Sequence, residues 1–407
     1  MEGELKKIYL LFLLLSFAVP AFALSEMSIP TPTPTSIPLT IIKHSKVLKI
    51  TGTEKDEALG VAVLKDGNLF FTGTTNDAQN GFDQVLAMKT TREGKIIWKK
   101  MFGGKYESRA VSAVETNDGC LAMTGTSENQ AFILELDRNG NFLWEKKIDK
   151  GYIRGDGLDI RTEGDNVLVL LELGTGDNYF GATMIPGLVV LDKNGVIVKM
   201  CTYSGDVSIT PKCFCSIGSE GYAIVYETRD VYGIIRLGPD MLKTWSKIFD
   251  YGDGKMFDKP KKDMVDYTLN EAYRFDKAIP ISGIVYSPAE GLVICAYDYY
   301  LTRTILYSID PETGEHPEGG LNAQLTYNAE NIFEQGGGYM LQGSTSPIDG
   351  SAGYTTFVKL DEKFTVKKGI CYREHESIHG YKTAAFADGD DVLLSYQNGK
   401  ITFSSIK

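Results

Sequence analysis

The sequence contains few of the residues that build metal clusters and disulfide frameworks. Its 407 residues include only 4 His and 6 Cys, and 3 Trp. So few His and Cys residues disfavour a multi-zinc protein or a disulfide-dense scaffold. Positive charge is also in short supply, since the formal net charge is −11. Nucleic-acid binders usually carry the opposite sign because they must neutralise phosphates, so we expect no nucleic-acid partner.

Signature motifs of several enzyme classes are missing as well. The sequence contains no phosphate-binding loop of the G-x-x-x-x-G-K-[ST] type and no G-x-S-x-G nucleophile elbow. Gly174-Thr175-Gly176 lacks the third glycine of a dinucleotide fingerprint at the required offset, because the next glycine is Gly181. No catalytic residue, cofactor or metal is therefore predicted from motifs of this kind.

The N-terminus has the pattern of a secretory signal peptide. Lys6 and Lys7 precede the apolar run 8–23, which ends in Ala21-Phe22-Ala23. This order predicts a signal peptide over 1–23 and a secreted or cell-surface protein; an uncleaved anchor is the alternative. The run is short for a membrane span, and no second long apolar stretch follows, so we expect no transmembrane span in the mature chain. The range 24–45 alternates Pro and Thr and predicts an extended linker, or a poorly ordered terminus.

A four-strand repeat follows the linker. The segment 66–75 (DGNLFFTGTT) reappears as 118–127 (DGCLAMTGTS), and each copy is a turn followed by a short apolar strand. A strand is expected before each copy, at 59–64 and 110–115, and a third strand after it, at 84–88 and 131–136. A turn and a fourth strand ending in Trp98 or Trp144 complete each unit. Four short strands per unit is the pattern of a β-propeller blade.

Seven such units are predicted over residues 46–407. Their second strands are expected to start at seven positions: Asn68, Cys120, Asn166, Tyr222, Leu292, Tyr339 and Asp391. The sequence therefore predicts an all-β, seven-bladed β-propeller, with six or eight blades as alternatives because the middle units are degenerate. The last unit has three strands, and the range 46–50 is expected to supply the fourth, which would close the ring by pairing the two termini.

These repeats resemble secreted microbial β-propeller proteins of the quinoprotein-like superfamily, whose repeats are of the PQQ type. The resemblance rests on D-G-x-x-x-x-x-G-T followed by D-x-x-G-x-x-x-W, and it is clear in 66–98 and 118–144. A quinone-dependent dehydrogenase of that superfamily would need a channel base, calcium ligands and an adjacent cysteine pair, and no such set can be placed. The aspartate of the sialidase-type box is also absent, because Arg92 and Arg138 stand at its position.

Two local features allow more than one interpretation. His375-Glu376-Ser377-Ile378-His379 fits the zinc-protease pattern H-E-x-x-H, but strand-like sequence surrounds it, so a polar loop is favoured over a metal site. The insertion 255–278 has apolar residues near helical spacing after Asp263, and predicts a helix that is a lid, a partner-docking element or a surface helix packed across a blade joint. Among the cysteines, Cys201 with Cys213 or Cys215 is the pair to inspect for a disulfide.

The loops between second and third strands are the predicted ligand-binding region. They are rich in Asp, Asn, Gly and Tyr, which suit sugar or peptide recognition, although solvated loops are often polar without binding anything. The candidate ligand-binding residues are Asp77, Asp83, Asp177, Tyr179, Asp298, Tyr299 and Tyr300.

Three functions remain open at the level of sequence. The leading hypothesis is a non-catalytic propeller that binds a glycan, a peptide or a surface protein through one face of the disc. The second is a glycoside hydrolase or lyase that would need two acids at the mouth of the central channel. Its candidate acids are Asp56, Asp156, Asp159 and Asp206. The third is a structural protein of a cell-surface assembly.

Overall fold

The fold is built almost entirely from β-strands. A computed structural model of the protein describes residues 39–42, 46–48, 57–76, 81–92, 94–103, 106–149, 151–177, 181–203, 208–228, 231–250, 255–257, 280–298, 303–325, 328–335, 337–345, 354–373, 385–387, 390–397 and 400–406. Within these ranges the only helical element is one 3-10 turn at Gly218–Glu220. No helix in the described part of the chain is long and apolar enough to cross a membrane.

The described strands form seven sheets in chain order. Sheet 1 contains β3 (Glu57–Val63), β4 (Leu69–Thr75), β5 (Gln84–Thr90) and β6 (Ile96–Phe102). Sheet 2 contains β7 (Ser108–Glu115), β8 (Leu121–Ser127), β9 (Gln130–Leu136) and β10 (Phe142–Ile148). Sheet 3 contains β11 (Arg154–Glu163), β12 (Asn166–Thr175), β13 (Thr183–Leu191) and β14 (Ile197–Thr202). All three are antiparallel meanders.

The later sheets follow the same plan, with additions at their edges. Sheet 4 contains β15 (Thr210–Ser216), β16 (Tyr222–Thr228), β17 (Val231–Leu237), β18 (Lys243–Asp250) and β19 (Lys255–Phe257). Sheet 5 contains β20 (Ile281–Ser287), β21 (Gly291–Asp298), β22 (Arg303–Ile309) and β23 (Asn322–Leu325). Sheet 6 contains β24 (Asn328–Gln335), β25 (Gly338–Thr345), β26 (Tyr354–Asp361), β27 (Val366–Arg373) and the added strand β1 (Leu39–Ile42). Sheet 7 contains β28 (Ala385–Ala387), β29 (Asp390–Gln397), β30 (Lys400–Ile406) and β2 (Lys46–Leu48).

Each hydrophobic cluster of the core lies between two consecutive sheets. One cluster joins sheets 1 and 2 through Phe70, Phe132 and their neighbours, and the next joins sheets 2 and 3. Further clusters join sheets 3 and 4, 4 and 5, and 5 and 6. The first strands of these sheets also contact one another in order, from β3 through β24. Sheets packed face to face around their first strands are the architecture of a β-propeller.

The tryptophans of the repeat connect neighbouring sheets. Trp98 of sheet 1 donates a hydrogen bond from Nε1 to the carbonyl of Arg138 in sheet 2, and Trp144 of sheet 2 donates to Lys193 in sheet 3, at 3.4 and 3.2 Å. The ring of Trp144 covers Gly195, where an added Cβ would lie 2.6 Å from it. The D-x-x-G turn therefore keeps its glycine so that the preceding tryptophan can pack on it.

At the joint between sheets 3 and 4, a lysine replaces the tryptophan and a methionine replaces the glycine. Lys199 occupies the position of the tryptophan, and its Nζ donates to the carbonyl of Pro239 at 3.1 Å. The glycine position of this turn holds Met241 with a φ of 62°, a left-handed conformation that has a small backbone cost for a side chain. The side chain of Met241 is 1% exposed and packs in the cluster between sheets 3 and 4, and its carbonyl accepts a hydrogen bond from the Tyr203 hydroxyl at 2.8 Å.

A β-bulge recurs in the first strand of six sheets. In sheet 1 the register shifts between Ala58 and Gly60, and the other shifts fall at the equivalent place in β7, β11, β15, β20 and β24. The bulge presses the first strand onto the second. An added Cβ at Gly73 would lie 1.8 Å from the carbonyl oxygen of Glu57, which explains the glycine of the G-T pair.

Most predicted strand positions agree with the structure. The seven predicted second-strand starts lie within one residue of the starts of β4, β8, β12, β16, β21, β25 and β29. The fourth strands do not end at tryptophan, however: β6 continues to Phe102 and β10 to Ile148. The ladder continues because the third strands β5 and β9 extend opposite these residues.

Two strands lie in regions for which no strand was predicted. The predicted linker 24–45 includes β1, which pairs in parallel with β27. The insertion 255–278 begins with β19, which pairs with β18, and its predicted helix after Asp263 lies outside the described residues. At the termini, β2 pairs antiparallel with β30, with Val47 opposite Thr402.

Candidate functional site

Two ends of the sheets carry different connections. We call the end with the second-to-third strand loops and the links between sheets the loop face, and the end with the D-G and D-x-x-G turns the turn face. On the loop face the connections bond to one another: the amide of Ser108 donates to the carbonyl of Asp83 at 2.8 Å, and that of Gly155 donates to Asn129 at 2.8 Å. This backbone network fixes the loops of sheets 1 to 3 relative to each other.

The predicted ligand-binding residues are only partly described. Asp83 accepts a hydrogen bond from Asn76 Nδ2 at 2.9 Å, so its carboxylate holds its own loop. Asp177 is exposed, and no bond joins it to Asp83 within the described ranges. Asp298 ends β21, but its side chain is not described. The other predicted binding residues, Asp77, Tyr179, Tyr299 and Tyr300, lie outside the described residues.

An exposed aromatic pair lies beside Asp83 on the loop face. Phe82 is 42% exposed and Tyr106 is 60% exposed, and their ring centroids are 6.3 Å apart in a tilted arrangement. Phe82 comes from the loop between β4 and β5, and Tyr106 from the link between β6 and β7. Large exposed rings next to a fixed polar loop can hold the apolar face of a sugar or a peptide side chain. Neither residue is among the binding residues predicted from the sequence, because a single aromatic residue in a polar loop gives no pattern.

Two of the acids predicted for the channel are held in place by the neighbouring sheet. Asp156 accepts a hydrogen bond from the hydroxyl of Thr126 and forms an ion pair with Arg109 at 3.4 Å. Asp159 accepts from Ser112 Oγ at 3.0 Å and pairs with Arg161 Nε at 3.1 Å. Both lie on β11, the first strand of sheet 3. Asp56 and Asp206 lie outside the described residues, so their convergence stays a prediction.

A third carboxylate joins this group from the next strand. Glu172 of β12 is the direct cross-strand partner of Asp156. Burial raises the pKa of the Glu172 carboxyl, against a hydrogen bond from Thr210, and the charge of Asp156 raises it further. Two neighbouring carboxyl groups in different environments are the arrangement that separates an acid from a base.

The turn face of sheet 2 holds a second chemical group. Asp118 of the β7–β8 turn, Cys120 beside it and Glu135 of β9 place one ligand atom each within 4.8 Å of one another. Glu135 is 2% exposed. Burial and the charge of Asp118 raise the pKa of Glu135 to about 7, and burial raises the pKa of the Cys120 thiol to about 12. We call these three residues the sheet 2 cluster.

Other features singled out in the sequence contribute less. His375-Glu376-Ser377-Ile378-His379 lies outside the described residues. Cys201, Cys213 and Cys215 are free thiols, so the pair inspected for a disulfide is not bonded. Burial raises the pKa of the Cys213 and Cys215 thiols, which keeps them protonated near neutrality.

Comparison with known proteins supports the fold. No protein-family model and no curated protein sequence matches the chain. Puromycin hydrolase is similar in structure at 12% identity with a TM-score of 0.51, covering 85% of this chain and 50% of that one, so the chain spans about half of that enzyme. An α-L-arabinofuranosidase from Fusarium graminearum covers 78% of this chain and 97% of its own, at 11% identity and a TM-score of 0.45. Puromycin hydrolase is a β-propeller protein, and at 12% identity the likeness extends to the fold alone.

Proposed function

We propose that the protein is an exported, non-catalytic β-propeller that binds a glycan or a peptide through its loop face. The observation that carries this proposal is the exposed pair Phe82 and Tyr106 beside the Asn76–Asp83 bond. Exposed aromatic rings lose water contact at little conformational cost when a ligand covers them, since each has only two side-chain torsions to fix. The acidic net charge of −11 favours neutral or cationic ligands.

The proposed architecture is a closed ring of seven blades. Seven sheets follow one another in the described chain, and β2 from the N-terminal side completes sheet 7 by pairing with β30. The contact of β28 with β3 brings sheet 7 against sheet 1. Export is proposed from the N-terminal run and its Ala21-Phe22-Ala23 exit, and sequencing the N-terminus of protein collected outside the cell tests it: cleavage after Ala23 is expected.

Ligand binding by the aromatic pair can be tested with a matched control. The full chain is screened against panels of neutral oligosaccharides and peptides by thermal shift, and hits are titrated by calorimetry. Phe82→Ala and Tyr106→Ala are each expected to weaken binding of a hit by about tenfold or more. Phe142→Ala is the control, because Phe142 is 55% exposed but lies on β10, away from the loops. Equal losses in all three variants would contradict a binding role for the pair.

A second candidate function is glycoside hydrolysis by the carboxylates of sheet 3. The cross-strand pair Asp156 and Glu172 favours it, because the raised pKa of Glu172 suits a general acid and the paired Asp156 suits a charged partner. Hydrolysis of an oligosaccharide hit, abolished by Glu172→Gln and by Asp156→Asn, would establish this activity. If the oligosaccharide binds without being hydrolysed, and its affinity is unchanged in Glu172→Gln, the result contradicts hydrolysis and favours the non-catalytic function.

A further inference from the structure

The turn faces of sheets 1 and 2 carry the same turn with different chemistry around it. Asp66 and Asp118 occupy equivalent positions, and each accepts the amide of the residue two places on, Asn68 or Cys120. On the third strand, Lys89 of β5 and Glu135 of β9 are equivalent, since each lies opposite the tryptophan of its sheet. In sheet 1, Lys89 forms an ion pair with Asp66 at 2.9 Å. In sheet 2 the lysine is replaced by a carboxylate and the asparagine by a thiol.

Glu135 has no cation to balance it in the described part of the chain. It is 98% buried, with 2% of its surface exposed, and its one polar contact is the Cys120 thiol. Two cations at the same turn bond to backbone oxygens: Lys65 Nζ donates to the carbonyls of Thr116 and Asn117, and Arg138 donates to the backbone oxygen of Asp118. A carboxylate buried without a counter-charge is costly, and a coordinated metal ion is one of the ways in which proteins offset that cost.

From this geometry we propose that Asp118, Cys120 and Glu135 form a zinc site. Two carboxylate oxygens and one sulfur lie within 4.8 Å of one another. Ligands about 2.0–2.3 Å from one tetrahedral ion lie roughly 3.3–3.8 Å apart, so rotamer changes of about an ångström would complete the site. A thiolate with carboxylates suits zinc better than calcium or magnesium, which take oxygen ligands.

The site can be reached from the turn face. Asp118 is exposed and Cys120 is half-buried, so an ion can enter from the turn face while Glu135 forms the buried floor. Three protein ligands leave one position of a tetrahedral ion for water. The ion would tie the β7–β8 turn to β9 of the same sheet, where sheet 1 uses the Lys89–Asp66 pair.

Cobalt provides a direct test, because a cobalt–thiolate bond gives an intense charge-transfer absorption. The metal-free full chain, kept reduced, is titrated with Co²⁺ and then with Zn²⁺. We expect one equivalent of Co²⁺ to produce the band and Zn²⁺ to displace it. Cys120→Ser is expected to abolish the band, and Glu135→Gln to weaken Co²⁺ binding at least tenfold. Asp66→Asn, at the matched position of sheet 1, is expected to change neither.

The other histidines and cysteines of the chain are controlled separately. A His375→Ala, His379→Ala double variant is expected to keep the band, because the proposed site uses neither residue. Near-ultraviolet circular dichroism of each metal-free variant verifies that it is folded. A band that survives in Cys120→Ser, that disappears in the histidine variant, or that is never formed by the wild-type chain would overturn the proposal. Because the site is on the turn face, ligand binding by Phe82 and Tyr106 on the loop face is tested independently.

Discussion

Sheets 1 and 2 are alike in backbone and opposite in charge at one place. They share the D-G turn, the glycine opposite the bulge and the tryptophan that reaches the next sheet. They differ where Lys89 in sheet 1 and Glu135 in sheet 2 approach the turn aspartate. The shared features hold one sheet on the next, so they recur. Within the described residues, the polar contacts of Lys89 and Glu135 are with residues of their own turns, so the charge at this position can differ between the sheets without altering the contact between sheets.

The largest expected consequence of this difference is a pH dependence that comes from sheet 2. The pKa of Glu135 is raised to about 7 in the folded protein from an ordinary value of 4.5, so the folded state holds the proton more tightly. The contribution of Glu135 to stability is therefore fully present below about pH 4.5 and is lost as the pH rises through about 7, by roughly 3 kcal/mol at most. Urea denaturation of the metal-free protein in chelator, from pH 5 to pH 8, measures it.

The matched variants decide whether Glu135 causes that loss. Glu135→Gln is expected to remove this component of the pH profile and to be more stable than wild type at pH 8. Lys89→Gln, at the equivalent position of sheet 1, is expected to leave the component in place. If Glu135→Gln follows the wild-type profile, the buried carboxylate is not the group that titrates.

A smaller effect, different in size between the two sheets, is expected when the turn aspartates Asp66 and Asp118 lose their charge. Asp66→Asn keeps an oxygen to accept the Asn68 amide but leaves Lys89, which is 8% exposed, without its anion. A loss of about 2 kcal/mol is expected, below the value for a fully buried pair because Asp66 itself is half exposed. Asp118→Asn keeps an acceptor for the Cys120 amide but weakens the hydrogen bonds from Thr116 and Cys120 that lower the pKa of Asp118. Relief of Glu135 from a neighbouring like charge offsets part of this cost, so a smaller loss than that of Asp66→Asn is expected for the metal-free protein.

Thermal or urea unfolding of the two asparagine variants, each compared with wild type at pH 8 in chelator, measures the contrast. Since both substitutions preserve the turn acceptor, a shared loss would be assigned to the turn, and a difference between them to the charge. Losses of equal size would show that the charges of Lys89 and Glu135 matter little, and would remove the basis of the comparison.

The sequence predicted the strands far better than the chemistry at their ends. D-G turns, apolar runs and tryptophans are local signals, and they located the seven second strands to within one residue. The edge strands β1 and β19 were not predicted, because short strands at a sheet edge have no turn, apolar run or tryptophan that marks them. Ala122 lies opposite Glu135 in the β8–β9 ladder, which brings Cys120 near Glu135. The members of the sheet 2 cluster are brought together by this strand register, which cannot be assigned from the local sequence pattern.

Part of the sheet 2 cluster could nevertheless have been predicted by aligning the two repeats. Superposing 66–90 on 118–136 aligns Asn68 with Cys120, and both third strands end in the same register against their second strands. In this alignment of the two repeats, the change from Lys89 to Glu135 is a reversal of charge within an otherwise similar pattern. Phe82 and Tyr106 had no such signal, because they lie in loops whose lengths differ between the units.

The smallest expected effect concerns the feature that the two sheets share. Trp98→Phe and Trp144→Phe keep most of the ring area on the following glycine but remove the Nε1 donor to Arg138 and Lys193. Each is expected to cost about 1 kcal/mol, because the carbonyl that loses its partner is near solvent and can bind water. Urea denaturation of the two single variants and of the double variant measures this.

The two tryptophans are in different joints, so the double variant is expected to lose about the sum of the single losses. Lys199 occupies the tryptophan position at the next joint and donates to Pro239, while Met241 of the same turn packs in the core between the two sheets. If Trp144→Phe cost much more than Trp98→Phe, the closer fit of Trp144 on Gly195 would be the reason, since an added Cβ there would lie 2.6 Å from the ring against 3.0 Å at Gly140. Packing, and not the hydrogen bond, would then be the part of the repeat that holds sheet to sheet.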